Sequence, residues 1–576
     1  ELDWLHVGSG DPESSFAAPT RSDAVASITV GAVSKRAFAL RAPGFARCTT
    51  FAPRGARLEV NVALVGNGEG EAEVRWHRDR REAVTLGRSV VSSRAPAGAE
   101  TGRSIRWTAL SLPLPEPEGD GDLGVLELVS RRAPRGARVV FGEPRLVLDG
   151  ETAAAPVAPA PPVRGALLVV LGSTAPRSLA LYGGPRTTPE LASLAVQGTV
   201  FEGHRAAAGF AAGALASMLT GRAPLHHGLV DMDARLPARV TTVAEAARQA
   251  GLATAYFTAN PGTTAAFGFA RGWDHFAAYP PMPDVPAVRA FDDLATWLSE
   301  RREGRFLAVL HARGVHPPWD VSQEELRLAP PPNYVGSVDP RNAAGLLTHA
   351  RRGGPRRTDA DQTRLLALEG LAAQAQDAAL GRVLAALRAA GRDGDTAIIV
   401  TGDVGASDTS PAPFAEGDPT DEASLAVPLL VALPGPARVG KRVRLPTTGV
   451  DIALTLMDAL RLAPPDGFQG RSLLPLARGE GATPEPTFTG GARRSIVRWG
   501  HLVYFAGHTG SDEKLCDTLL EPACLTDVQS TYPLALDALR QLLRRARTGE
   551  GTRAAPLREA ATIDQATSAG LKAWGR

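Results

Sequence analysis

A chain of 576 residues is too long for one ordinary core and points to two to four folding units. Hydrophobic residues at 44% and charged residues at 22% are ordinary globular proportions, which exclude a disordered chain and a collagen-like fibre. A formal net charge of +2 gives no electrostatic case for nucleic acid, and no apolar run approaches the roughly 20 residues of a membrane span.

In chain order, the first 150 residues carry short β-rich runs between Gly, Pro and charged turns: SITVGAV, RLEVNVALVG, EAEVRWH, RWTALSLPL, LGVLELVS and ARVVFGEPRLVL. Such spacing predicts an all-β sandwich over residues 1–150. Gly66-Asn67-Gly68 reads as a hairpin turn, because no helix follows that would make it a phosphate loop. Trp76 and Trp107 are expected in the core rather than as sugar platforms. With its final strand ending at Gly142 to Pro144, the run resembles jelly-roll modules attached to envelope enzymes, some of which bind carbohydrate. Residues 151–163, ETAAAPVAPAPPV, have the composition of an extended linker.

From residue 164 the pattern changes. ALLVVL is a continuous apolar run of the kind a strand buried on both faces requires. It is followed by alternating helices and strands: PELASLAVQG, ALASMLTG and VTTVAEAARQAG as helices, LATAYFT as a strand, VRAFDDLATWLSE as a helix, FLAVLHA as a strand, a long helix ending LGRVLAALRAAG, and the strand TAIIVTGD. The alternation predicts an α/β sandwich over residues 164–490 with its site beyond the carboxyl ends of the strands. A C-terminal subdomain and tail are expected over 491–576. There Cys516 and Cys524 are close enough to form a disulfide, with two reduced buried thiols as the alternative, whereas Cys48 stands alone. A disulfide suits a periplasmic or extracellular protein. The chain starts at Glu1 instead of Met, which accords with a removed export signal.

Several ordered landmarks carry a family resemblance: LALYGGPRTTPELASLAVQGTVF, the L-T-G-R of residues 219–222, FGFARGWDHF, HPPWD, TGDVG and EASLAVPLLVALPG, with the tail from 561 to 576. Together they resemble the sulfatase branch of the alkaline phosphatase superfamily. The resemblance implies that family's α/β sandwich, preceded here by a jelly-roll-like all-β sandwich.

The resemblance also implies a nucleophile, a divalent cation held by several oxygens, and basic groups that clamp a sulfate. Counted back from Gly221, the nucleophile's place falls on Ala211 and that of the nearby basic residue on Leu215. Counted back from Tyr182-Gly183, the first metal-ligating aspartate falls on Gly172, and a frequent second acid on Arg177. Asp403 keeps one ligand position, but its neighbour is Val404. Glu416 and Asp418 stand where a sulfate-holding His or Lys is expected. His227 and His316 survive, each with a structural hydrogen bond as the alternative to a residual ligand site with Asp403. Ser217, two turns along the same helix from Ala211, is expected well below the site, and Ser173 and Thr174, which could reach the crevice, have no elbow motif or paired base to mark them as replacement nucleophiles.

This pattern leads to the expectation of a pseudoenzyme: an exported sulfatase-like protein with no nucleophile, no complete metal site and no cofactor. It would serve as a binding or structural component of a cell-envelope or extracellular assembly, with a protein or glycan partner. The alternative is an active metal-dependent sulfuric or phosphoric ester hydrolase with a rebuilt site, needing calcium or another divalent cation. The arginine-rich runs at 349–357 and at the end of the C-terminal helix read as a solvated loop and a helix terminus suited to its dipole, with an anionic glycan or lipid head group as the other reading.

Overall fold

The structure, a computed structural model, describes residues 6–9, 25–93, 106–117, 121–148, 163–282, 285–340, 357–406, 414, 416–418, 421–435, 441–480, 485–508, 512–548 and 558–576. The expected Ala/Pro linker, apart from Val163, and the arginine-rich run at 349–356 lie outside these residues.

The N-terminal strands form two five-stranded antiparallel sheets. Alternation decides which side chains face inward: Leu58, Val60, Val62 and Leu64 of the strand Ala56–Val65 meet Trp76, Leu126, Leu128 and Phe141 in one core. Trp76 is buried there, and Trp107 donates its indole N–H to the Val33 carbonyl. Gly66-Asn67-Gly68 is not a hairpin turn. The strands on either side, Ala56–Val65 and Glu69–Arg78, belong to opposite sheets, so this turn carries the chain across the sandwich.

The second unit is built on an eight-stranded mixed sheet. Its central strand Gly165–Leu171 pairs in parallel with Phe306–Ala312 on one side and Thr396–Gly402 on the other, and all three are buried throughout. Leu429–Ala432 runs antiparallel to both of its neighbours. Alternate residues of the central strand feed two apolar layers. Leu167, Val169 and Leu171 face the helices Pro189–Gln197, Arg289–Ser299 and Asp359–Ala389; Ala166, Leu168 and Val170 face Ala211–Thr220, Val243–Gln249 and Val450–Ala459. Burial on both faces explains why ALLVVL shows no polar alternation.

A four-stranded antiparallel sheet, Thr487–Gly490, Arg494–Trp499, Leu502–Gly507 and Lys514–Asp517, packs against the helix Pro533–Thr548 through Val497, Leu502, Leu515, Leu536 and Leu539. This helix is tied to the N-terminal sandwich. The Asp79 carboxylate accepts from the Leu534 and Ala535 amides at 3.0 and 2.9 Å, capping the helix, and Arg80 donates to the Tyr532 hydroxyl at 2.9 Å.

Cys516 and Cys524 form the disulfide, eight residues apart, and pack with Ala206, Leu425 and Val427. Closing so short a loop contributes about 2.5 kcal/mol in the chain-entropy model. Replacing both cysteines by alanine should lower the denaturant midpoint accordingly, measured by equilibrium unfolding with and without reducing agent.

Candidate functional site

Because the three central strands are in register, Leu171, Ala312 and Gly402 lie side by side, and the residues that follow converge on one spot. There the loops are joined at close range. Gly172 N–H donates to the Ala312 carbonyl at 3.2 Å, and Val315 N–H donates to the Gly172 carbonyl at 3.0 Å. A Cβ on Gly172 would sit 2.7 Å from the Arg313 carbonyl oxygen. One on Gly314, whose φ is +63°, would sit 2.0 Å from the Gly172 carbonyl oxygen. Neither position has room for a side chain, so the absence of an aspartate at 172 is built into the backbone.

Asp403 follows the strand Thr396–Gly402 and is fully buried. Its Oδ1 accepts the Ser173 and Val404 amides at 2.7 and 2.6 Å, and its Oδ2 lies 2.9 Å from His311 Nε2. His311, also fully buried, uses Nδ1 toward Thr263 Oγ1 at 3.1 Å. A buried carboxylate needs donors or a cation, and here the protein supplies the donors. Val404 contributes its backbone N–H and an otherwise buried apolar side chain. Thr174 Oγ1 donates to the Gly172 carbonyl, and the Ser173 backbone amide serves Asp403. Arg177 turns away to Glu369 on the long helix and to the Ala406 carbonyl.

A calcium ion takes six to eight oxygen ligands. Among the described residues there is no group of three or more His, Cys, Asp or Glu placed to hold a metal. With position 172 closed and Asp403 satisfied by three protein donors, the described residues do not fit the divalent cation that the fold implies.

The helix Ala211–Thr220 is buried along its whole length, and Leu215 belongs to the apolar layer beneath the sheet. Its first turn has no side-chain cap from Phe210; instead the Glu416 carboxylate accepts the Ala211 amide at 3.4 Å. The other oxygen of Glu416 accepts the Trp574 indole N–H at 3.3 Å. Trp574, which follows the helix Gln565–Ala573, is 1% exposed and lies flat on His316, with centroids 3.7 Å apart and planes 2° apart. Phe414 also meets the imidazole, edge-on. His316 therefore lines a packed aromatic stack, and His316 and Asp403 make no direct hydrogen bond. Burial pushes the Glu416 carboxyl up, with Asp403 reinforcing and Arg576 opposing the shift. Asp418 is drawn elsewhere, capping the Arg493–Arg494 turn.

His227 has different partners from this cluster. Its Nδ1 accepts the Leu229 amide at 3.1 Å, which leaves the proton on Nε2, 3.1 Å from Ser217 Oγ. An imidazole facing the hydroxyl with N–H cannot take its proton, so the pair is no activated nucleophile. Ser217 also lies about 9 Å along the helix axis from Ala211, six residues at 1.5 Å each.

Burial pushes His227 and the fully buried His204 down to about 3. Unfolded histidine titrates near 6.5, so the unfolded chain binds protons that the folded one refuses. Their contribution to stability is complete above pH 6.5 and is lost as pH falls toward 3, at about 1.4 kcal/mol per histidine per pH unit. Denaturant midpoints measured from pH 7 to pH 4.5 should fall with that slope, and His227→Gln should flatten it.

A family model described as Sulfatase matches residues 166–462, slightly more than half of the chain. The chain belongs to the sulfatase family. Solved structures similar to this sulfatase-family chain include the phosphonate monoester hydrolase of Agrobacterium radiobacter, at 21% identity over 67% of this chain and 96% of that one, with a TM-score of 0.56. A protein solved in complex with its substrate D-glucosamine-2-N,6-O-disulfate matches at 18% identity over 68% and 98%, TM-score 0.56. The phosphonate monoester hydrolase from Silicibacter pomeroyi matches at 19% identity over 68% and 96%, TM-score 0.54. No curated protein matches the chain. At these identities the structural likeness establishes the fold.

Three residues central to the site were not singled out by sequence reasoning: His311, Gly314 and Trp574. His311 left a signal, since a histidine inside the apolar run FLAVLHA must find a buried partner. Gly314 and Trp574 left none that is separable from an ordinary turn and an ordinary core aromatic.

Proposed function

We propose that this sulfatase-family chain is a pseudoenzyme that acts as a binding or structural component of a cell-envelope or extracellular assembly. The observation that supports the reading best is the filling of the crevice by the chain's own groups. The Glu416 carboxylate takes the helix N-terminus at Ala211, where an anionic substrate group would gain most from the dipole. Trp574 covers His316. Ala211 offers a methyl group where the resemblance places the nucleophile, and Asp403 is already saturated by donors. The disulfide supports an oxidising, periplasmic or extracellular location. We read the chain as a jelly-roll-like sandwich over 1–150, a linker over 151–163, the α/β domain over 164–490 and a C-terminal subdomain over 491–576.

The test is a turnover assay of the purified full chain against aryl sulfates, phosphomonoesters and phosphonate monoesters with calcium, magnesium, manganese or zinc. The expected result is no turnover above the metal-only control. Metal-dependent turnover abolished by Asp403→Asn or His316→Ala would overturn the proposal and establish a rebuilt hydrolase.

A further inference from the structure

Away from the crevice, a cleft of about 390 Å³ opens where the N-terminal sandwich, the α/β unit and the C-terminal sheet meet. Its volume lies within the range of small-molecule sites. The ionisable groups that line it are all basic: Arg54 from the sandwich, Arg444 from the α/β unit, and Arg498 and His501 from the C-terminal sheet. No acidic side chain lines it among the described residues.

The charge behind the walls is also unbalanced. Glu422, 4% exposed, is shared by two guanidinium groups, Arg205 at 2.5 Å and Arg498. One carboxylate between two arginines leaves a positive charge in a poorly solvated place. Burial and the neighbouring Arg205 accordingly push Arg498 down to about 10 despite its carboxylate partner. Arg498 uses Nε on the Gly500 carbonyl and Nη1 on Glu422, and Nη2 donates to no described residue. On the α/β side the same imbalance recurs, with Glu202 shared by Arg442 at 2.9 Å and Arg444 at 3.2 Å. The rim arginines pair with carboxylates near the surface, Arg444 with Glu202 and Arg54 with Glu116, and Arg54 also donates to the Pro117 carbonyl. Pairs of that kind are weak and yield readily to a better partner. Phe51, Pro53, Leu445 and Pro446 supply apolar lining beside the guanidiniums.

We propose that this three-way cleft is a binding site for a small anionic molecule, one oxyanion group carried on a sugar-sized or partly apolar body. The oxyanion is received by Arg498 and Arg444, whose planar forks suit a carboxylate, sulfate or phosphate. The body lies against Phe51 and Leu445. The three units that line the cleft are far apart in sequence, so the ligand also bridges them.

The experiment is calorimetric titration of the full chain with glucose 6-phosphate, glucose 6-sulfate and glucuronate, with glucose as the uncharged control. The expected result is binding of at least one anionic sugar, with affinity falling as salt is raised, and none of glucose. Arg54→Glu with Arg444→Glu, both on the rim, should weaken that binding roughly tenfold or more while leaving the melting temperature unchanged. Arg498→Lys keeps the charge but loses the fork, and should weaken binding and alter the preference among the three anions. The proposal fails if none of the three anions binds, if glucose binds equally well, or if the folded double rim variant binds as the unaltered chain does.

Discussion

Gly172→Asp is expected to destabilise the chain by at least ~3 kcal/mol and to recover no calcium binding. The new Cβ would sit 2.7 Å from the Arg313 carbonyl oxygen and 3.0 Å from that of Ala312, both backbone atoms that cannot swing aside. Overpacking alone costs about 1–3 kcal/mol. The carboxylate would then add an uncompensated charge beside Asp403, whose own donors are already in use. Equilibrium unfolding gives the loss, and calorimetric titration with calcium gives the affinity. A variant as stable as the parent that binds calcium would mean that the loops around Gly172 and Gly314 open far more easily than their contacts imply.

Trp574→Ala should be similarly costly, about 3–5 kcal/mol for a fully buried indole, and it tests the filled crevice directly. Removing the ring takes away the plate against His316 and the donor to Glu416 in one step. The first consequence is a fall in the denaturant midpoint. The second is specific to this arrangement: His316, buried beneath the ring in the parent chain, gains contact with solvent, so its imidazole should become open to modification by diethyl pyrocarbonate in the variant. If His316 is modified equally fast in the parent chain, the stack does not persist in solution.

The scaffold was legible in the sequence because its signals are local. ALLVVL, FLAVLHA and TAIIVTGD are uninterrupted apolar runs because each strand is buried on both faces, and the alternation in RLEVNVALVG follows from a strand with one face in the core. The content of the crevice was not legible, because it is made by contacts with no local trace. His311 meets Asp403 across 92 residues, Glu416 meets Trp574 across 158, and Ala211 meets Glu416 across 205. Glu416 shows the difficulty most clearly. Read along the chain, it is an acid standing where a sulfate-binding base is expected. In the fold it accepts the first amide of the helix Ala211–Thr220. The turn at Gly66 to Gly68 failed for the converse reason, since its letters suit a hairpin and only the sheet order reveals a crossing.

The clamp between the sandwich and the last long helix has a mechanical consequence. Asp79 and Arg80 grip the start of Pro533–Thr548, so residues more than 450 positions apart are fastened directly to one another. A load pulling the sandwich away from the C-terminal sheet is shared between this bridge and the apolar contacts of Phe51 and Leu123 with Val497, Leu536 and Leu539. If the chain serves as a tether, Asp79→Ala should lower the force at which the sandwich and the C-terminal sheet part.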